Sequence, residues 1–136
     1  MATYALGVNT DFPAKHYLVG GDFGAEGELH AHHYRLEVVI EGDRLDEHGF
    51  LVDIVRVKSE LGRIADRYRN RTLNDFPELE GVNPGCEAFS RVVAESLRER
   101  FFNNGVDPPK GLSFLTVQVW ESESAWGKCR LEIHSE

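Results

Sequence analysis

Six histidines occur in the 136-residue chain, and His30 and His32 are the pair best placed to do chemistry. Side chains on a strand alternate in direction, so residues two apart share a face and can grip one cation, while His33 points the other way. His16 follows the first apolar stretch, and the loop between can fold back to bring it near the pair. Three neutral imidazoles with one open position make a catalytic type of zinc site, because zinc favours nitrogen donors in tetrahedral geometry. His30 and His32 share the parity of Leu36, Val38 and Ile40, which sets them at the end of an apolar face. The competing account is a loop histidine beside a pair that only caps a strand, since H-x-H is a short motif. His48 and His134 read as surface residues.

Carboxylates form the second candidate group. Glu121 follows Leu115, Val117 and Val119 on one face of a strand. A partly buried carboxylate is costly unless it meets donors, and the paired N–H groups of a pterin or guanine edge would supply two parallel hydrogen bonds. The alternative is a strand-end glutamate turned to water. Glu87 is open to the same two readings, because a carboxylate near a helix start also complements the helix dipole. Arg67, Arg69 and Arg71 form a dense basic cluster. It suits either an anionic group on a small molecule or a solvated helix end.

These side chains need a scaffold, and the apolar pattern supplies one. Tyr4, Leu6 and Val8 alternate with small or polar residues and predict a first strand ending near Phe12. A Gly-rich loop from Gly20 to Gly27 leads to a second strand from His30. Residues 42–49 turn the chain, and Phe50 to Val52 read as a short extended piece. Asp53 caps a helix carrying Ile54, Val57, Leu61, Ile64, Ala65 and Tyr68 on one stripe. Asn83-Pro84 predicts a second helix start, with Phe89, Val92, Val93, Leu97 and Phe101 inward and Gly105, Pro108 and Pro109 as its stop. Leu112 to Glu121 and Lys128 to His134 complete four strands. The order ββααββ predicts an α+β fold, an antiparallel sheet with two helices on one face. Its exposed edges favour association between copies.

Composition bounds the function. The chain is 41% hydrophobic and 28% charged, as expected of one folded domain spanning 1–136. A net charge of −8 argues against a general binder of nucleic acid or anionic membranes. No run approaches the roughly 18 apolar residues of a membrane span. The first residues lack the basic and apolar regions of a signal peptide, and Cys86 and Cys129 are too few for a disulfide framework. A cytoplasmic location is the expectation.

Taken together, six short motifs resemble the family of 6-pyruvoyl-tetrahydropterin and 6-carboxy-tetrahydropterin synthases. They are Phe12-Pro13-Ala14-Lys15-His16, Leu29-His30-Ala31-His32-His33-Tyr34, Gly49-Phe50-Leu51-Val52-Asp53, Leu73-Asn74, Asn83-Pro84-Gly85-Cys86-Glu87 and Val119-Trp120-Glu121. They run in the family's order over nearly the whole chain. The resemblance implies the tunnelling fold, assembled as barrel-like trimers stacked into homo-hexamers with sites at subunit interfaces. It implies zinc on His16, His30 and His32, a pterin anchored by Glu121, and further pterin contacts from Gly85, Cys86 and Glu87.

Departures from the family pattern bear on activity. The resemblance sets Glu26 where the catalytic cysteine stands, and Arg69 and Asn70 where an Asp-His pair assists it. Arginine does not accept a proton at neutral pH, and an amide has no useful basicity. Ala31 also replaces a glycine between the two histidines, and Gly85 replaces a threonine. Two functions follow as expectations. One is a pterin-binding homologue without the ordinary synthase reaction. The other is a zinc-dependent lyase that cleaves the side chain of dihydroneopterin triphosphate or a relative, with Glu26 as base. Glu28 is a second candidate base, although its parity groups it with the ligands; a solvated loop residue is the plain account of Glu26.

Overall fold

The structure, a computed structural model, describes residues 1–102 and 110–133. Strands β1 (Tyr4–His16), β2 (His30–Gly42), β3 (Leu112–Trp120) and β4 (Trp126–Glu132) form one antiparallel sheet in the order β1-β2-β3-β4. Helices α1 (Ile54–Tyr68) and α2 (Cys86–Phe102) pack on one face, α1 against β1 and α2 against β3 and β4. This is the predicted ββααββ arrangement. The core lies between the layers, where Leu36, Val38, Leu115, Val117 and Val119 meet Leu61, Phe89 and Leu97. Among the described residues, no helix is long and apolar enough to cross a membrane. His134 and the stop at Gly105, Pro108 and Pro109 lie outside the described residues.

The largest difference from the sequence reading is the length of β1, which continues past Phe12 to His16. Pro13 hides this extension, because a proline weakens a strand prediction. Its carbonyl accepts from the Asn70 N–H at 2.7 Å, on the side away from β2. Its ring nitrogen points to that same outer side, so no bond to β2 is lost, as suits an edge strand. Lys15, two residues on, donates outward to the Arg71 carbonyl at 2.9 Å. The chain at 70–72 therefore covers the final stretch of this edge.

Both helices begin near the expected places. The Asp53 carboxylate accepts from the Val55 N–H at 2.9 Å, capping α1, and Val57, Leu61, Ile64, Ala65 and Tyr68 are buried. Ile54 is exposed instead, because it precedes the turn that meets the sheet. Residues 50–52 form no strand. Helix α2 starts at Cys86 rather than directly after Asn83, because the Asn83 side chain is used elsewhere. Its amide accepts from the Val19 N–H at 2.8 Å and donates to the Val19 carbonyl at 3.0 Å. Asn74 clasps Tyr17 the same way, at 3.1 and 2.9 Å. Two side-chain amides thus mimic neighbouring strands and hold the segment after β1.

Candidate metal centre

The β1–β2 register assembles the histidines without any folded-back loop. His16 pairs across the ladder with His30, and Ala14 pairs with His32. Alternation turns His16, His30 and His32 to the core face together, while small Ala14 leaves room opposite His32. Their ring centroids lie 4.5, 4.9 and 4.8 Å apart. His33 faces the opposite side, 3.3 Å from Asp11, and His48 is exposed beside Glu47.

Hydrogen bonds fix how two rings present themselves. His16 Nδ1 lies 2.7 Å from the Pro84 carbonyl, and His30 Nδ1 lies 2.7 Å from the Glu28 carbonyl. A carbonyl only accepts, so each Nδ1 carries a hydrogen, and in the neutral ring Nε2 keeps a lone pair. The Nε2 atoms of His16, His30 and His32 are buried and have no hydrogen-bond partner. Burial holds His16 below the usual histidine range, keeping it neutral. Convergent lone pairs with backbone acceptors behind them are the donor arrangement of an imidazole metal site.

A fourth group joins them. A short 3-10 turn at Gly24–Gly27 carries Glu26, tied to the clasped segment by Leu18 N–H donating to the Glu26 carbonyl at 2.9 Å. One ligand atom each from His16, Glu26, His30 and His32 lies within 4.8 Å of the others. Glu26 Oε2 is 3.0 Å from His30 Nε2, yet off the line of a hydrogen bond, since that nitrogen stays unpartnered. The described residues therefore contain a possible His/Glu metal site.

Glu121 lies just beyond β3, where its N–H donates to the Ala125 carbonyl at 3.0 Å. Its carboxylate is half-buried, 3.7 Å from His32 Nε2, and acts electrostatically on the Cys86 thiol at the start of α2. The start of α2 packs closely on β4, since a Cβ on Gly127 would fall 2.8 Å from Cys86 Cβ. Burial and the neighbouring carboxylate push the Cys86 thiol up to about 12, so it stays protonated and does not stand in for a basic cysteine. Glu87 is exposed in the first turn of α2, beside Gly85.

The family model for 6-pyruvoyl tetrahydropterin synthase matches residues 5–132. The chain belongs to this family. It is 27% identical over 96 residues to the 6-carboxy-5,6,7,8-tetrahydropterin synthase of Bacillus subtilis (strain 168), a match covering 69% of this chain and 64% of that enzyme. It thus spans just under two thirds of that relative's length. It is 26% identical over 94 residues to the dihydroneopterin monophosphate aldolase of Pyrococcus furiosus, covering 69% and 71% of the two chains. The solved 6-pyruvoyl tetrahydropterin synthase of Caenorhabditis elegans superposes with a TM-score of 0.80 at 21% identity, covering 96% of this chain and 97% of that one. A Plasmodium vivax 6-pyruvoyltetrahydropterin synthase whose catalytic glutamate is changed to cysteine gives 0.77 at 16%, covering 98% and 100%. At such identities the structural likeness establishes the fold.

Within this family frame, the arginine cluster is mostly occupied. Arg67 grips Glu78 through two bonds of 2.9 and 2.8 Å, and Tyr68 donates to the same carboxylate at 2.6 Å. Arg69 lies 3.7 Å from Asp66 on the surface, and Asn70 holds a left-handed turn at φ 60°. Sequence reasoning missed the clasping roles of Asn74 and Asn83, although both lie in the motifs that carried the resemblance. Tyr34 shares the parity of Leu36, Val38 and Ile40, and that parity signals core and nothing more.

Proposed function

We propose that this single-domain member of the family binds a pterin-like small molecule at a zinc centre and lacks the ordinary synthase reaction. The observation that carries the reading is the set of three buried, unpartnered Nε2 atoms. His16, His30 and His32 would hold the metal, which when bound supplies a Lewis acid for a side-chain hydroxyl or carbonyl. Glu121 would anchor the pterin edge, with Gly85, Cys86 and Glu87 lining the approach. By the family resemblance, Glu26, Arg69 and Asn70 replace the cysteine and Asp-His pair that move protons in the synthase. The protonated Cys86 offers no substitute base. Assembly as a homo-hexamer in the cytoplasm belongs to the same reading, supported by a sheet whose outer strands are β1 and β4.

A second reading goes further and rests on Glu26. Its carboxylate joins the histidines, where the resemblance places the cysteine. Two of the similar proteins bear on this: one is an aldolase acting on dihydroneopterin monophosphate, and another has a catalytic glutamate. Glu26 would take the proton of the second side-chain hydroxyl. The bond between the first and second side-chain carbons then breaks, its electron pair passes into the pterin ring, and an aldehyde leaves. The first carbon regains a proton, which yields the hydroxymethyl pterin.

The test is to incubate zinc-loaded protein with 7,8-dihydroneopterin monophosphate or triphosphate and identify the pterins by chromatography. A hydroxymethyl product lost in Glu26→Gln supports the lyase. Stoichiometric binding without turnover, lost in Glu121→Ala, supports the binding reading alone. A 6-pyruvoyl or 6-carboxy product would overturn the argument from the replaced residues.

A further inference from the structure

Tyr34 stands two residues beyond His32 on the core face of β2 and is 1% exposed. Its ring meets His16 and His32 edge-on, with centroids 5.9 and 5.5 Å away, and backs onto Phe12 and Phe89. Packing accounts for the ring. It does not account for the hydroxyl, which is buried with no hydrogen-bond partner. The core's other buried tyrosine, Tyr68, donates to Glu78 at 2.6 Å. A phenylalanine at position 34 would fill the same space without stripping water from an O–H group.

A phenol keeps its proton at neutral pH, so the hydroxyl is a hydrogen donor. The edge-on contacts of its ring with His16 and His32 set that donor beside the centre. Glu26 and Glu121, as carboxylates, only accept. An oxygen arriving beside the histidines would therefore meet lone pairs from the carboxylates and a free hydrogen from Tyr34.

We infer that the Tyr34 hydroxyl is a ligand-recognition contact, donating to an oxygen on the side chain of the pterin whose ring Glu121 anchors. This rests on the pterin-binding reading above. It makes Tyr34 a specificity residue that separates hydroxylated from plain alkyl side chains.

Tyr34→Phe removes one oxygen and keeps the ring that packs on Phe12 and Phe89. Fluorescence titration of the zinc-loaded protein would use neopterin, which carries side-chain hydroxyls, and 6-methylpterin, which has none. Tyr34→Phe is expected to weaken neopterin by about three- to tenfold, the range of one neutral hydrogen bond. Binding of 6-methylpterin and of zinc should stay within about twofold by the same argument, whereas Glu121→Ala should lose both pterins. Unchanged neopterin affinity in Tyr34→Phe would overturn the inference. An equal loss of both probes would overturn it too, by tracing the effect to packing. Failure of the unaltered protein to bind either pterin would reject the pterin reading itself, and this inference with it.

Discussion

Two polar clusters flank the core, and they are finished in opposite ways. At the C-terminal end of α1, Arg67, Tyr68 and Glu78 satisfy one another through three short hydrogen bonds. At the end of the β1–β2 ladder, His16 and His30 meet backbone carbonyls through Nδ1, and His16, His30 and His32 all leave Nε2 unpartnered. Buried polar groups normally find partners, because an orphan loses its hydration for nothing in return. The first cluster closes on itself and contributes stability. The second converges on a point that only an added group can satisfy, and its order comes from the backbone behind it.

The sharpest way to break this contrast is to remove one inward nitrogen. His32→Ala should weaken zinc binding by more than the roughly 10–100-fold that loss of an outer hydrogen-bond partner causes. Calorimetric titration measures this directly. Thermal melts provide a second reading, because a ligand that binds only the folded state raises the melting temperature by mass action. Zinc should raise it for the unaltered chain and not for His32→Ala. A zinc-dependent rise of equal size in both proteins would remove the distinction between the clusters.

Glu78→Gln tests the closed cluster. Arg67, with help from the Tyr68 hydroxyl, holds the Glu78 carboxyl down to about 2. A carboxyl whose folded value is depressed contributes stability above its ordinary value of 4.5, and that contribution is lost as pH falls toward the folded value. Charge-assisted bonds discounted for partial exposure suggest a cost of about 1–2 kcal/mol at neutral pH. The gap between the two proteins in urea melts should shrink below pH 4.5 and close near the folded value. Zinc affinity should be untouched. A gap that persists at low pH would show that Glu78 acts through packing instead.

How much of this was legible in the sequence differs between the clusters for a physical reason. Alternation is local, so it placed His30 and His32 on one face and grouped Leu115, Val117, Val119 and Glu121 correctly. The position of His16 depends on ladder register, and Pro13 concealed that the strand continues; only the bonds from Pro13 and Lys15 to residues 70–72 reveal why it does. Asn83 looked like a helix cap because its type is right for one, yet the Val19 backbone competes for the same amide. Glu26 sits on a Gly-rich turn with no periodicity, and its approach to the histidines is set by tertiary bonds such as Leu18 to Glu26. The Arg67–Glu78 pairing spans a bend that no spacing rule predicts. Tyr34 had the parity of core and is core, so the orphaned hydroxyl is visible only once its surroundings are.

The smallest expected effect sharpens the comparison from the other side. Arg69 is an exposed residue three positions from Asp66, 3.7 Å away, and pairs of this kind contribute little because water and salt screen them. Arg69→Ala should therefore change stability by less than about 0.5 kcal/mol. Its effect on ligand binding is the more telling measurement. The resemblance sets Arg69 where a proton-handling residue stands, and its charge suits a phosphate, so a role in holding a phosphorylated pterin is the natural suspicion. Within the protomer, however, Arg67 is spent on Glu78, and the 70–72 segment that follows Arg69 lies along the outer edge of β1 rather than among the histidines. Titration with dihydroneopterin monophosphate should give the same affinity for Arg69→Ala as for the unaltered chain. A loss of tenfold or more would place Arg69 at the ligand, which this protomer does not do, and would point to a site completed by a second copy.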